Sequence, residues 1–183
     1  YSVNKVEILK GPASLAYGSD AMAGVINMIS FPTLPEGTIN GNVLGNYQTN
    51  NGLIGYSGNL AGNLKGFVFD TRFSQKLAHA YQNKYDGYVL GTKSKETNYS
   101  GILGINKSWG YSHLHMSGYH LITELAEGER DSATGKFIKG FVLNDSTLVD
   151  TIASGDDFTG SEIGIPHQDI KHYKAVLNNS FVI

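Results

Sequence analysis

With 183 residues and a net charge of −2, the chain is long enough for one packed domain and lacks the basic surplus that nucleic-acid binding requires. Charged residues make up 16% against about 25% in soluble domains, glycines number 23 and aromatics reach 11%, so part of the surface is expected to face something other than water. Cys is absent, which excludes disulfide frameworks, thiolate metal centres and Cys nucleophiles.

No cleavable signal peptide is visible, and the chain opens at Tyr1 without a Met, as an internal fragment or processed product would. Val6-Glu7-Ile8-Leu9 reads as a short strand. Gly11-Pro12 starts a helical turn, with Pro where its missing N–H costs nothing. Ala13 to Tyr17 continue the turn, and Gly18 supplies the left-handed residue that ends it. Gly24 then releases Val25 to Ile29, apolar on both faces and stopped by Pro32, which predicts a strand covered on both sides.

The 28 residues from Gly37 to Leu64 hold no Asp, Glu, Lys or Arg, a length that would suit a membrane helix were the stretch apolar. It is rich in Asn and Gly instead, and Ile39, Gly41, Val43, Gly45 and Tyr47 alternate with Asn40, Asn42, Leu44, Asn46 and Gln48, a two-residue repeat that predicts a strand. After the turn signal Asn50-Asn51-Gly52, a second strand sets Ile54, Tyr56, Gly58 and Leu60 against Gly55, Ser57 and Asn59. A third sets Phe67, Phe69, Thr71 and Phe73 against Val68, Asp70, Arg72 and Ser74, whose charged pair needs a wet environment. Further strands are predicted near Thr97 to Lys107, near Tyr111 to Ile122, and from Asp169 to Ile183.

Strands two to three and four to five are joined by about three to five residues, whereas three to four and five to six need about 22 and 46. In an antiparallel meander such alternation gathers short turns at one rim and long loops at the other, with the joint Asn50 to Gly52 a short exception on the loop rim. Outer-membrane barrels are built this way. A soluble antiparallel sandwich also alternates and also has Gly-rich turns, so periodicity leaves both architectures open.

The run VEILKGPASLAYGSDAMAGVINMIS, Val6 to Ser30, resembles the C-terminal end of the plug domain of TonB-dependent outer-membrane receptors. The family pattern of strand, Gly-Pro, Ser-containing helix, Tyr-Gly-Ser, small-residue turn and Gly-Val-Ile-Asn falls on Gly11, Pro12, Ser14, Leu15, Tyr17, Gly18, Ser19, Ala21, Gly24, Val25, Ile26, Asn27 and Ile29. Ala23 stands where Gly is frequent, and Lys5 and Lys10 where Arg often appears. The resemblance implies a mainly β chain. Residues 1–31 would be the end of a small α+β plug domain and 32–37 a linker, with 38–183 the first strands and loops of an antiparallel up-and-down transmembrane barrel. Six of about 22 strands would be present. It also implies a place in the outer membrane among lipid and uptake of a scarce nutrient, whether iron chelate, haem, cobalamin, glycan or peptide. TonB would pull on the plug through an N-terminal segment outside this chain, with no cofactor and no covalent chemistry. The competing expectation is a soluble antiparallel β-protein that binds a glycan or protein partner with its long loops.

His113-x-His115 puts two imidazoles on one strand face, but no nearby carboxylate or third His has the spacing of a metal site, and two His facing a polar lumen is the blander reading. Lys10 to Ser14 lacks the Gly-Lys-Ser/Thr order of a phosphate loop, and no Gly-x-Ser-x-Gly elbow frames Ser14 or Ser19, so no enzyme is expected. Trp109 and Tyr111 are candidate girdle residues. Asp156, Asp157 and Glu162 are substrate-binding candidates that could gather a hard cation, against the commoner reading of a solvated acidic loop. Residues 124–169 hold ten acidic groups against Arg130, Lys136 and Lys139, a field that argues against burial and for an external loop near the path of a cationic or metal-bearing ligand.

Overall fold

The computed structural model describes residues 5–29, 34–144 and 147–182; Ser30, Pro32, Asp145 and Ile183 lie outside them. The chain opens with β1 (Lys5–Leu9) and β2 (Val25–Ile29), an antiparallel pair in which Val6 stands opposite Met28 and Ile8 opposite Ile26. Two turns of 3-10 helix, Gly11–Tyr17 and Ser19–Ala23, join them. Gly18 and Gly24 both hold positive φ, +117° and +124°, a conformation that side chains strain, and a Cβ on Gly24 would also crowd the Leu9 carbonyl oxygen. The expected two-sided cover of β2 is not found: Val6, Ile8, Ile26 and Met28 form one apolar face that is more than half exposed.

All six predicted strands form one antiparallel sheet. They are β3 (Thr38–Gln48), β4 (Leu53–Leu64), β5 (Phe67–Ala78), β8 (Ser94–Lys107), β9 (Gly110–Glu124) and β12 (His167–Phe181), laid side by side in chain order. The long connections hold two hairpins, β6 (Gln82–Asn83) with β7 (Gly87–Tyr88) and β10 (Ile138–Asn144) with β11 (Thr147–Ile152). A single turn of helix, α1 (Gly155–Thr159), follows β11. Among the described residues the sheet is open: β3 and β12 are edges, and no closed barrel is formed.

The strands run further than alternation suggested, so the two long joints shrink to residues 79–93 and 125–166. The added ends are polar and resemble loop by sequence. Pairing holds them in the ladder: Lys76 at the end of β5 and Glu96 at the start of β8 stand opposite each other, with Nζ 2.9 Å from Oε1. At the other rim the turns between β4 and β5 and between β8 and β9 have two residues each. Lys65 and Gly66 both take positive φ, 52° and 81°, as a two-residue hairpin turn matched to the sheet twist requires. A Cβ on Gly66 would run into the carbonyl oxygen of Asn106. Gly66→Ala is therefore expected to cost more than the ~1 kcal/mol of an ordinary glycine replacement at positive φ, read as a lower thermal midpoint.

Candidate functional site

The register sorts the sheet into two chemically opposite faces. Ile39 stands level with Gly62, Phe69, Leu103, Leu114 and Leu177, and Val43 with Gly58, Phe73, Tyr99, Gly118 and Tyr173. These rows form an apolar face, and it lies open: Val43 is 87% exposed and Leu177 60%. Its polar members bond within the face. Thr71 Oγ1 donates to the Leu60 carbonyl at 3.3 Å, and Gln75 accepts from the Tyr56 hydroxyl while its amide donates to Thr97 at 3.3 Å.

The edges of this band cross the strands obliquely. On β3 it spans Ile39 to Tyr47; on β12 it spans Tyr173 to Phe181, interrupted by Asn179 and bounded above by Lys171 and Asp169. Because Ile39 is level with Leu177 and not with Phe181, the band has slipped by four residues in crossing from β3 to β12. At ~3.4 Å per residue and ~4.8 Å per strand, that is about 14 Å over about 24 Å, an angle of about 30°. Eight residues measured along a strand so inclined give a band about 24 Å tall. At its lower edge Trp109 stacks on Phe181, with ring centroids 5.6 Å apart, whereas Tyr111, the other girdle candidate, falls on the opposite face and packs on His113 at 4.7 Å.

The opposite face is polar and concave. One cavity of roughly 340 Å³ touches residues of all six strands, which requires the sheet to curl toward this side. The wet surroundings expected for the charged pair are not found: Asp70 is 3% exposed, and pairing replaces water, with Arg72 Nε and Nη2 donating to its two oxygens at 2.9 and 3.1 Å. His113 and His115 share this face with ring centroids 6.3 Å apart, and Asn106 Oδ1 bonds His113 Nε2 at 2.7 Å. Among the described residues no group of three or more His or carboxylate side chains is placed to hold a metal ion.

The long joints build the third surface, a folded rim. His79 N–H donates to Asn51 O at 3.1 Å and Ala80 N–H to Phe158 O at 2.9 Å, which ties the three joints of this rim together. Phe137, Phe158 and Tyr88 pack as an aromatic cluster, and the Arg130 guanidinium lies 3.9 Å from the Phe137 ring centroid. Its base is closed by Lys93 and Glu124, 4% and 7% exposed, with Nζ 3.3 Å from Oε1. Glu124 also accepts from the backbone N–H of Lys93 at 3.0 Å and of Gly164 at 2.6 Å, while Lys93 Nζ donates to the Glu162 carbonyl. Burial of Glu124 corrects the expectation that the acidic segment stays solvated throughout. Sequence alone hides this pair, but Lys93 and Glu124 stand symmetrically about the Ser108-Trp109 turn, so the hairpin register brings them opposite each other.

Comparison with family models, curated proteins and solved structures gives no match. The predicted site residues are therefore judged on geometry alone. Gly11 (φ +74°), Pro12 and Tyr17 lie in the first 3-10 turn, Gly18 and Gly24 flank the second, and Asn27 Nδ2 donates across the hairpin to Glu7 at 3.2 Å. Asp156, Asp157 and Glu162 line one rim cavity of roughly 630 Å³ together with Lys93 and Lys139. Asp157 is engaged locally: Lys139 pairs with it, and it accepts from the Ser154 N–H and hydroxyl at 2.7 and 2.8 Å. Partial burial opposes ionisation there, yet Lys139 and Ser154 hold the carboxyl below its usual range. Its contribution is then present above the unfolded value and lost as pH falls through the folded one. Asp157→Asn is expected to lower amide protection factors over α1 at pH 7 by about threefold to tenfold, and acidification of the native chain through the lowered folded-state value should lower the protection factors in the same way.

Proposed function

We propose that the chain is part of a TonB-dependent receptor of the outer membrane. Its six long strands would lie in the bilayer with the apolar face toward lipid and the polar face toward an aqueous lumen. The folded rim would face outside, and residues 5–29 would be the end of the plug. Such a receptor takes a scarce nutrient from outside and releases it inward when TonB pulls on the plug; it binds and moves its ligand without covalent chemistry.

The observation that carries this reading is the oblique, exposed apolar band. A flat hydrocarbon slab cutting strands inclined at about 35–45° produces a band about 25 Å tall that slips along the strands from one to the next, close to the height and angle found here. A soluble sandwich has no use for such a slip and would cover the face with a second sheet. So large an open apolar surface is foreign to soluble monomers. The resemblance of Val6 to Ser30 to the plug end supplies the family.

In cells carrying the full-length receptor, the protein is expected in the outer-membrane fraction, with ligand-stimulated growth that disappears when TonB is removed. Recovery in the soluble fraction would refute the reading. Sidedness has its own test. Tyr85, 91% exposed at the tip between β6 and β7, and Lys65, in the opposite turn, are replaced one at a time by Cys and whole cells are treated with an impermeant maleimide. Labelling at Tyr85→Cys and none at Lys65→Cys is expected; the reverse would invert the topology.

A further inference from the structure

Charge is spread unevenly along the upper edge of the apolar face. Over β3, β4 and β5 that edge holds Tyr47, Ile54 and Leu77, level with one another and uncharged. Followed onto β8, β9 and β12 it becomes basic: Lys95 is level with Leu77 and Ile122, and His120, two residues below Ile122, is level with Lys171. Lys171 is the first residue of this face above Tyr173, where the band ends on β12. The carboxylate beside them, Asp169, holds His120 Nε2 with one oxygen at 2.8 Å and Lys171 Nζ with the other at 3.0 Å. Lys95 pairs with no carboxylate among the described residues. Two lysines against one aspartate leave one positive charge in surplus with His120 neutral, and two with it protonated. Lys93 and Glu124, the next charges above, are buried and pair with each other.

We propose that Lys95, His120 and Lys171 form a site for the phosphate headgroup of an anionic lipid, on the side of the sheet that meets the bilayer and at the end nearer the rim. The inference rests on the receptor reading and adds a partner other than the transported nutrient. A lysine at the edge of an apolar band lays its stem along hydrocarbon and carries its ammonium to the headgroup level, where negative charge attracts it. Lys95 and Lys171 stand two strands and two residues apart, about 12 Å between Cα atoms, a gap that two extended lysine side chains can close on one phosphate with His120 between them. Below the cluster Leu103, Met116 and Tyr173 lie open on the same face and would take the acyl chains. A free phosphate gains the first set of contacts and none of the second, so the lipid is the occupant that uses both.

The test uses the intact receptor in phosphatidylcholine vesicles, with a bimane fluorophore on Tyr173→Cys, its single Cys, and an equal small fraction of dibrominated phosphatidic acid or dibrominated phosphatidylcholine as quencher. Phosphatidic acid is expected to associate about threefold or more strongly than phosphatidylcholine. Lys95→Gln with Lys171→Gln should abolish that preference. Lys65→Gln with Lys107→Gln, which removes the same charge at the opposite edge, should leave it unchanged, as should inorganic phosphate in millimolar excess. Circular dichroism checks that each variant keeps its strand content. Equal quenching by the two lipids overturns the inference, and so does a preference that survives loss of Lys95 and Lys171. A preference that falls as far with the lower pair would mean diffuse surface charge, and one relieved by inorganic phosphate a free-anion site; either overturns it. A receptor that does not insert into the vesicles overturns the receptor reading and this inference together; one that inserts and shows no preference overturns this inference alone.

Discussion

Arginine at Val43, Phe73 or Leu177 is expected to destabilise the membrane-inserted receptor by about 2–4 kcal/mol, while arginine at Asn42 costs much less. The first three lie near the middle of the apolar band on β3, β5 and β12, and Asn42 lines the polar cavity. A guanidinium at mid-band has no water to keep, whereas one on the concave face does. Folding into lipid vesicles under a urea gradient reads the difference. The band slip adds a sharper expectation. Ile39 is level with Leu177 in the register, yet Ile39 sits at the band's lower edge and Leu177 at its middle, so Ile39→Arg should cost less than Leu177→Arg.

Breaking the buried pair at the rim gives the second large effect. Lys93→Met leaves Glu124 charged at a site where side chains are about one-twentieth exposed, with two backbone donors but no cation, at a cost of about 3–5 kcal/mol. Glu124→Ala strands Lys93 and frees two buried N–H groups, with a cost in the same range. The loss is confined to the rim, because Lys93 and Glu124 fasten the end of one long joint and the start of the other to Gly164 near the return into β12. Hydrogen exchange over residues 125–166 is expected to rise by at least a hundredfold in either variant. Exchange in β4 and β5 should stay unchanged. Uniform loosening of the whole sheet would show that the rim and the sheet unfold together.

Much of this was legible in the sequence. Alternation located all six sheet strands because each has one apolar and one polar side, and a period of two survives in any such strand. The same logic failed at the strand ends. Gln75-Lys76 and Lys95-Glu96 carry polar residues on both faces, and only their cross-strand partners show that they continue the ladder. The rim reads as loop because β6 and β7 are two residues each and β10 and β11, seven and six residues long, do not alternate; their fold comes from contacts such as Phe137 with Phe158 and Lys93 with Glu124, which no local pattern encodes. The cavity was equally hidden. Asn42, Asn59, Ser74 and Ser100 each looked like an ordinary polar-face residue, and only the curl of the sheet brings them to one space. In β2 the apolar composition asks for cover on both faces, and among the described residues one face stays exposed and the other is only partly covered.

The most direct test of the membrane reading is depth. With a single spin label at Val43, Leu177, Ile39 or Asn42 of the receptor in lipid vesicles, the ratio of oxygen to polar-reagent accessibility measures distance from the bilayer centre. Val43 and Leu177 are predicted to lie deepest and at equal depth, Ile39 nearer the lower interface, and Asn42 in water. Equal depth at Ile39 and Leu177, or free access of the polar reagent to all four, would contradict a sheet whose oblique apolar band faces lipid.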